Sequence, residues 1–208
     1  MIVVHPTDAR RFVSNVEATA PAEEPITVAQ AKAHARIDGS GEDPEITAKI
    51  IEARTMVEGI IGRPLVTRSF RLRRCGFPAG RYFLLPSARA SAVSSITYVD
   101  SNGSTQTLAS NQYTLDADSI PGVVRLANGV TSWPATLATE DLLQPTVTVV
   151  YAAGWASAAA LPASLVAAVK LAFGHLWDGA REAAGERPLR EHDHSITALC
   201  APFMVAGV

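Results

Sequence analysis

The sequence predicts an α+β fold: a small helical bundle of two N-terminal helices and a long C-terminal helix, with an inserted antiparallel β-meander or sandwich and an extended C-terminal tail. Three observations carry the prediction. Apolar residues recur every three to four positions over 26–64, at every second position from Leu65, and every three to four again after Pro162. Turn residues punctuate the middle of the chain, with Asn102-Gly103 the strongest hairpin signal because it accepts positive φ. The stretch 146–179 passes from an alternating run, Val147, Val149 and Tyr151 against Thr148 and Val150, through Ala152-Ala153-Gly154-Trp155 into a helix.

In chain order, residues 1–25 have no sustained period and read as an extended lead-in. Thr27 followed by Gln30 is a capping box, which starts a helix running to about Ile37. Asp43-Pro44 starts the second helix, whose stripe is Ile46, Ile50, Ala53, Val57 and Ile60, and Gly62 ends it with Pro64 beyond. Val66, Arg68, Phe70, Leu72 and Arg74 then alternate against Thr67, Ser69, Arg71 and Arg73. Further strands are expected over 81–85, 92–99, 105–108, 112–115, 123–126 and 147–151, with Trp133 of the irregular stretch 127–145 packing on the sheet. Pro162 suits the first turn of the last helix, where its missing N–H needs no partner, and Leu165, Val169, Ala172, Phe173 and Leu176 form its stripe up to Gly179. The domains are therefore a lead-in over 1–25, a helical body from 26–64 plus 156–180, an inserted β domain over 65–155 and a C-terminal arm over 181–208. That arm is too short for a core of its own, so it folds back or docks on another chain, and its deletion from 186 is expected to leave the core folded.

A chain of 208 residues supports a real core but no second large domain. Its 48% hydrophobic content against 18% charge is apolar, and much of the excess is alanine. Cys75 and Cys200 fit neither a disulfide framework nor a metal knuckle, so a reduced intracellular protein is expected. No window approaches the roughly 18 apolar residues of a membrane span, and the N-terminus lacks the continuous apolar core of a signal peptide.

Catalytic motifs are sparse. There is no Gly-x-Ser-x-Gly elbow, phosphate-binding glycine loop or zinc-protease helix, and Ser87 and Ser164 have no evident His and acid partners. No catalytic residue and no cofactor is assigned. The acidic loop 38–45 lacks the alternate spacing of a calcium loop and reads as helix capping. His192, Asp193 and His194 are suitable metal ligand types, so a small metal-dependent enzyme is one alternative function, although neighbours in a polar tail seldom converge on one ion. His175, three residues from Asp178, reads as a solvated or packed side chain at a helix end.

The charge distribution says more than the net charge of −2. Between Glu58 and Asp100 stand Arg63, Arg68, Arg71, Arg73, Arg74, Arg81 and Arg89 with no acidic residue. Guanidinium forks bind phosphate and carboxylate alike, so the stretch is a DNA-backbone contact or a subunit interface, or else an exposed strand edge kept soluble by charge. A free DNA-binding module using these strands is a further alternative.

The order of segments is also informative. Ile26-Thr27-Val28-Ala29-Gln30-Ala31-Lys32 comes first, then Asp43-Pro44-Glu45 and Val57-Glu58-Gly59-Ile60-Ile61-Gly62-Arg63-Pro64-Leu65. Ser95-Ile96-Thr97-Tyr98-Val99-Asp100 with its Asn-Gly turn, Gln112-Tyr113, the run 147–155, and Leu161-Pro162 leading to Gly174-His175-Leu176-Trp177 follow. This series, over about 26 to 179 with an echo at Leu199-Cys200-Ala201-Pro202-Phe203, resembles the head-tail connector (adaptor) proteins of long-tailed bacteriophages and of phage-like gene transfer agents. The resemblance implies a non-enzymatic subunit of a homo-oligomeric ring, commonly of twelve copies, in the neck of a virion or phage-like particle assembled in the bacterial cytoplasm. Its implied partners are the portal protein, a stopper or tail terminator on the tail side, and passing double-stranded DNA without regard to sequence, with no membrane. Carried over, 186–208 is the portal-binding arm with Ile196, Leu199, Phe203 and Met204 as anchors, and Arg68, Arg71, Arg73, Arg74 and Arg81 face the DNA channel or a neighbouring subunit. The N-terminal lead-in is longer than the resemblance implies.

Overall fold

The computed structural model describes the backbone of residues 12–87, 89–137, 144–182 and 190–205, with their side chains except at 12, 179–182 and 190–194. The α+β class is as predicted. Two compact units form from the described parts of Met1–Ala20 with Arg68–Gly154 and of Pro21–Thr67 with Trp155–Val208.

The second unit is helical: α1 (Val28–Ala35), α2 (Asp43–Ile61), α3 (Ala163–Glu182) and α4 (Arg190–Cys200). The capping box is formed, with Gln30 N donating to Thr27 Oγ1 at 3.2 Å and Thr27 N to Gln30 Oε1 at 2.9 Å. Lys32 Nζ donates to Gly39 O at 2.6 Å and pairs with Asp43, which ties the acidic loop to α1, while Glu42 before α2 makes no side-chain capping bond. Gly62 ends α2 in the left-handed region at φ 69, where a side chain would be strained. Ile46, Ile50, Ala53, Val57 and Ile61 of α2 pack with Leu165, Val169, Ala172 and Phe173 of α3, each at most 2% exposed. Burial of each large side chain in this set contributes roughly 1.5–3 kcal/mol.

The expected extended tail is instead α4 followed by a short turn over Ala201–Phe203. Ile196 and Cys200 are fully buried in the helical core, and Leu199 and Phe203 pack against it. Positions 196, 199, 200 and 203 share one helical stripe; Pro202 obscures it in the sequence, but it stands just past the α-helix in the turn, where its missing N–H is no loss. α3 also continues beyond Gly179 to Glu182.

A buried polar network ties this unit together. Arg54 Nε donates to Glu24 Oε2 at 2.8 Å and Nη1 to Glu58 Oε2 at 3.0 Å, while Glu58 Oε1 accepts from Leu65 N at 2.8 Å. Burial works against the Arg54 charge, but Glu58 and Glu24 outweigh it and hold its pKa above the ordinary value.

The other unit holds two antiparallel sheets. The larger has strand order β1 (Phe12–Glu17), β2 (Arg68–Arg74), β8 (Val147–Ala153), β4 (Ala90–Val99), β5 (Thr105–Thr107); the smaller has order β3 (Tyr82–Leu85), β7 (Gly122–Leu126), β6 (Tyr113–Asp116). Two expectations change here. The last strand in sequence stands at the centre of its sheet, between β2 and β4. The lead-in contributes a strand, β1, paired with β2. Its sequence is too short and irregular to announce a strand, and a closed polar triangle fixes it: Tyr151 Oη donates to Asn15 Oδ1 at 3.0 Å, Asn15 Nδ2 to Ser87 Oγ at 2.7 Å, and Ser87 N to Tyr151 Oη at 3.1 Å.

Phe70, Leu72, Val147, Val149 and Tyr151 fill the core of this unit with Phe83, Leu85 and Val124. Trp133 packs as predicted, stacked on Phe77 at 5.0 Å with Nε1 donating to Gly80 O at 2.9 Å. At the Asn-Gly hairpin the Asp100 carboxylate accepts from Gln106, Ser104 and Asn102, which holds it below the usual carboxylate range. β7 approaches β4 so closely that a Cβ on Gly122 would lie 2.8 Å from Ala90 Cβ and 3.3 Å from its nitrogen. We therefore expect Gly122→Ala to destabilise the chain by about 1–3 kcal/mol, read as a lowered denaturant midpoint; an unchanged midpoint would mean that the strands separate freely.

Candidate functional site

The β2 alternation turns Phe70, Leu72 and Arg74 inward and Arg71 and Arg73 outward. This divides the five predicted arginines. Arg74 is 3% exposed, its guanidinium 5.1 Å from the Phe83 ring centroid, so it belongs to the interior of its own unit. Arg68 is 10% exposed at its side chain, pairs with Glu17 at 3.0 Å and lies 5.5 Å from the Phe70 ring. Arg81 is exposed at the start of β3, and its carbonyl accepts from Leu126 N at 2.9 Å. Arg71 and Arg73 are exposed and make no ion pair among the described residues.

The surroundings of Arg71 and Arg73 are set by strand register. Arg71 stands between Val16 and Val150, and Arg73 between Ser14 and Thr148. Continuing outward on the same face, Val150 and Thr148 pair with Ser95 and Thr97, and Thr97 with Thr107. No carboxylate stands at these face positions. β2 is hydrogen-bonded on both sides, so the strand-edge explanation for its charge is overturned: an interior strand has no free backbone edge to protect.

The predicted portal anchors are also divided. Ile196 is 0% exposed, Leu199 and Phe203 are half-buried, and Met204 is 48% exposed. Arg63 holds this end of the chain, its guanidinium 4.4 Å from the Trp155 ring centroid and 5.7 Å from that of Phe203. Val205 N donates to Ile61 O at 3.1 Å, satisfying a carbonyl that the last turn of α2 leaves free. The sequence gives no sign of this arrangement, because Arg63, Trp155 and Phe203 come from three distant stretches.

The side chains of His192, Asp193 and His194 lie outside the described residues. Among the described residues no group of three or more His, Cys, Asp or Glu is placed to hold a metal ion, and no helix is long and apolar enough to cross a membrane. An open groove of about 490 Å³ runs beside Ile26, Ile50 and Val166, but its rim carboxylates are engaged, Glu23 by Ala158 N at 2.7 Å and Glu24 by Arg54.

Compared with known proteins, the chain matches no family model and no curated protein. Solved structures do match. A chain from the neck of an empty GTA particle computed with C6 symmetry is similar with TM-score 0.73 and 23% identity, over 94% of this chain and 97% of that one. A chain from the virion of a native gene transfer agent (GTA) particle gives TM-score 0.72 and 24% identity over 93% and 96%. A third, from the neck of a native GTA particle computed with C12 symmetry, gives TM-score 0.68 and 24% identity over 94% and 97%. Likeness over nearly the whole of both chains shows a common fold, both units included.

Proposed function

We propose that this chain is a head-tail connector (adaptor) subunit: a structural, non-enzymatic component that forms a ring in the neck of a phage-like particle, between portal and tail, around a passage for DNA. The observation that carries the reading is the fold shared over nearly the whole chain with chains of gene transfer agent particles, two of them from the neck. It agrees with the resemblance found in the ordered motifs, which is independent of the coordinates. The symmetries of those particles support a ring, with twelve copies the number we favour. A closed ring needs two different faces of each subunit to meet, and many copies multiply a modest contact between them.

Within this reading the C-terminal arm meets the portal through Met204 and the exposed parts of Phe203 and Leu199, while Ile196 holds the arm in place from inside the core. The tail-side partner is a stopper or tail terminator. Full-length chain mixed with its portal ring is expected to form a ring seated on it, visible by electron microscopy. A chain that stays monomeric with the portal present overturns the proposal. Met204→Glu changes an exposed side chain, so we expect portal attachment to weaken about tenfold with an unchanged unfolding midpoint. Undiminished attachment would remove the arm from the portal interface and leave the ring untouched.

A further inference from the structure

The Arg71 and Arg73 pair remains unexplained by the fold. An opposite charge directly across the ladder would stabilise charge on the solvent face of an interior strand, and here the cross-strand neighbours are instead Val16, Val150, Ser14 and Thr148. Neither arginine finds a carboxylate among the described residues. Two like charges at alternate positions stand about 7 Å apart along the strand and repel weakly, a cost that no described residue of the unit offsets by an ion pair.

Its chemistry suits one kind of partner. Guanidinium groups flanked by hydroxyls are the side chains that bind DNA phosphates, and such contacts position a duplex without reading its sequence. Ser14 and Thr148 lie on either side of Arg73, and Ser95, Thr97 and Thr107 extend the hydroxyl surface across β4 and β5. A protein partner would favour a more apolar centre, which Val16 and Val150 alone do not supply. Charge, hydroxyl content and the absence of a carboxylate at these face positions among the described residues point the same way.

We propose that the outward face of the five-stranded sheet is a docking surface for the phosphodiester backbone of double-stranded DNA, with Arg71 and Arg73 as its phosphate anchors. The inference rests on the ring reading, since it takes the DNA to be the duplex that passes through the neck. Arg74 lies in the interior and Arg68 is paired with Glu17, so neither belongs to this surface.

The test uses full-length chain and a random-sequence duplex, with fluorescence anisotropy from about 50 to 200 mM salt and sedimentation in parallel. Wild type is expected to bind with a steep salt dependence. Arg71→Ala/Arg73→Ala should lower the slope of log K against log salt by about 1.8 or more, roughly 0.9 for each phosphate that is no longer neutralised. Arg71→Lys/Arg73→Lys should keep most of the slope, because ion release follows charge. An unchanged slope in the alanine variant, or no salt-dependent binding by wild type, overturns the inference. So does an alanine variant that keeps DNA binding but no longer forms rings, which would make the face a subunit interface. Intact wild-type rings that ignore DNA sink this inference alone, whereas wild type that forms no ring with its portal sinks the connector reading.

Discussion

A chain ending at residue 189 is expected to lose at least about 3 kcal/mol of helical-unit stability, seen as a large drop in denaturant midpoint. The truncation removes Ile196 and Cys200, both fully buried, and the Phe203 ring packed on Trp155 at 6.3 Å. Removal of one buried Ile side chain alone costs about 2–5 kcal/mol when the cavity persists. Sequence alone implies that the arm can be deleted with the core intact; its burial reverses that. Failure of portal attachment by a truncated chain would then report unfolding as much as a missing interface, which is why Met204→Glu is the cleaner probe. A truncated chain with the wild-type midpoint would show that the arm is a removable appendage.

Arg54→Ala is expected to cost about 1.5–3 kcal/mol, because it removes the charged hydrogen bonds that Arg54 gives to Glu58 and Glu24 in a largely buried setting. The Arg54 and Glu58 side chains are only 10% and 9% exposed, and Glu58 also holds the Leu65 amide that starts the exit from α2. Changing both members should hurt less than the sum. In Arg54→Met/Glu58→Gln the amide oxygen still accepts from Leu65 N, so a coupling above about 1 kcal/mol is expected in a double-mutant cycle by urea unfolding. Additive effects would show that the two side chains do not act as a pair. The same network includes Glu24, so the variants also test whether the approach to α1 is fixed by it.

Local chemistry was legible in the sequence wherever a few adjacent residues settle the outcome. The Thr27 and Gln30 cap, the Gly62 stop, the Asn-Gly hairpin and the alternation of β2 and β8 all depend on neighbours within a few positions, and all are present. The candidate site was legible by half. Composition located the arginines, and alternation separated Arg71 and Arg73 from Arg74. It gave no warning that β1 pairs along the edge of β2, since that pairing joins the start of the chain to a strand beyond two intervening helices.

By itself, then, the sequence determined the class of fold, the helix ends, the strand faces and the order of motifs that resembles a connector. The tertiary structure decided which arginines meet solvent, that the last strand stands at the centre of its sheet, and that the C-terminal arm folds back as a helix with Ile196 inside. The division has one physical cause. Caps and alternation are decided by short-range hydrogen bonds and side-chain direction, whereas burial of Ile196 and the pairing of β1 depend on surfaces that exist only after distant segments have met.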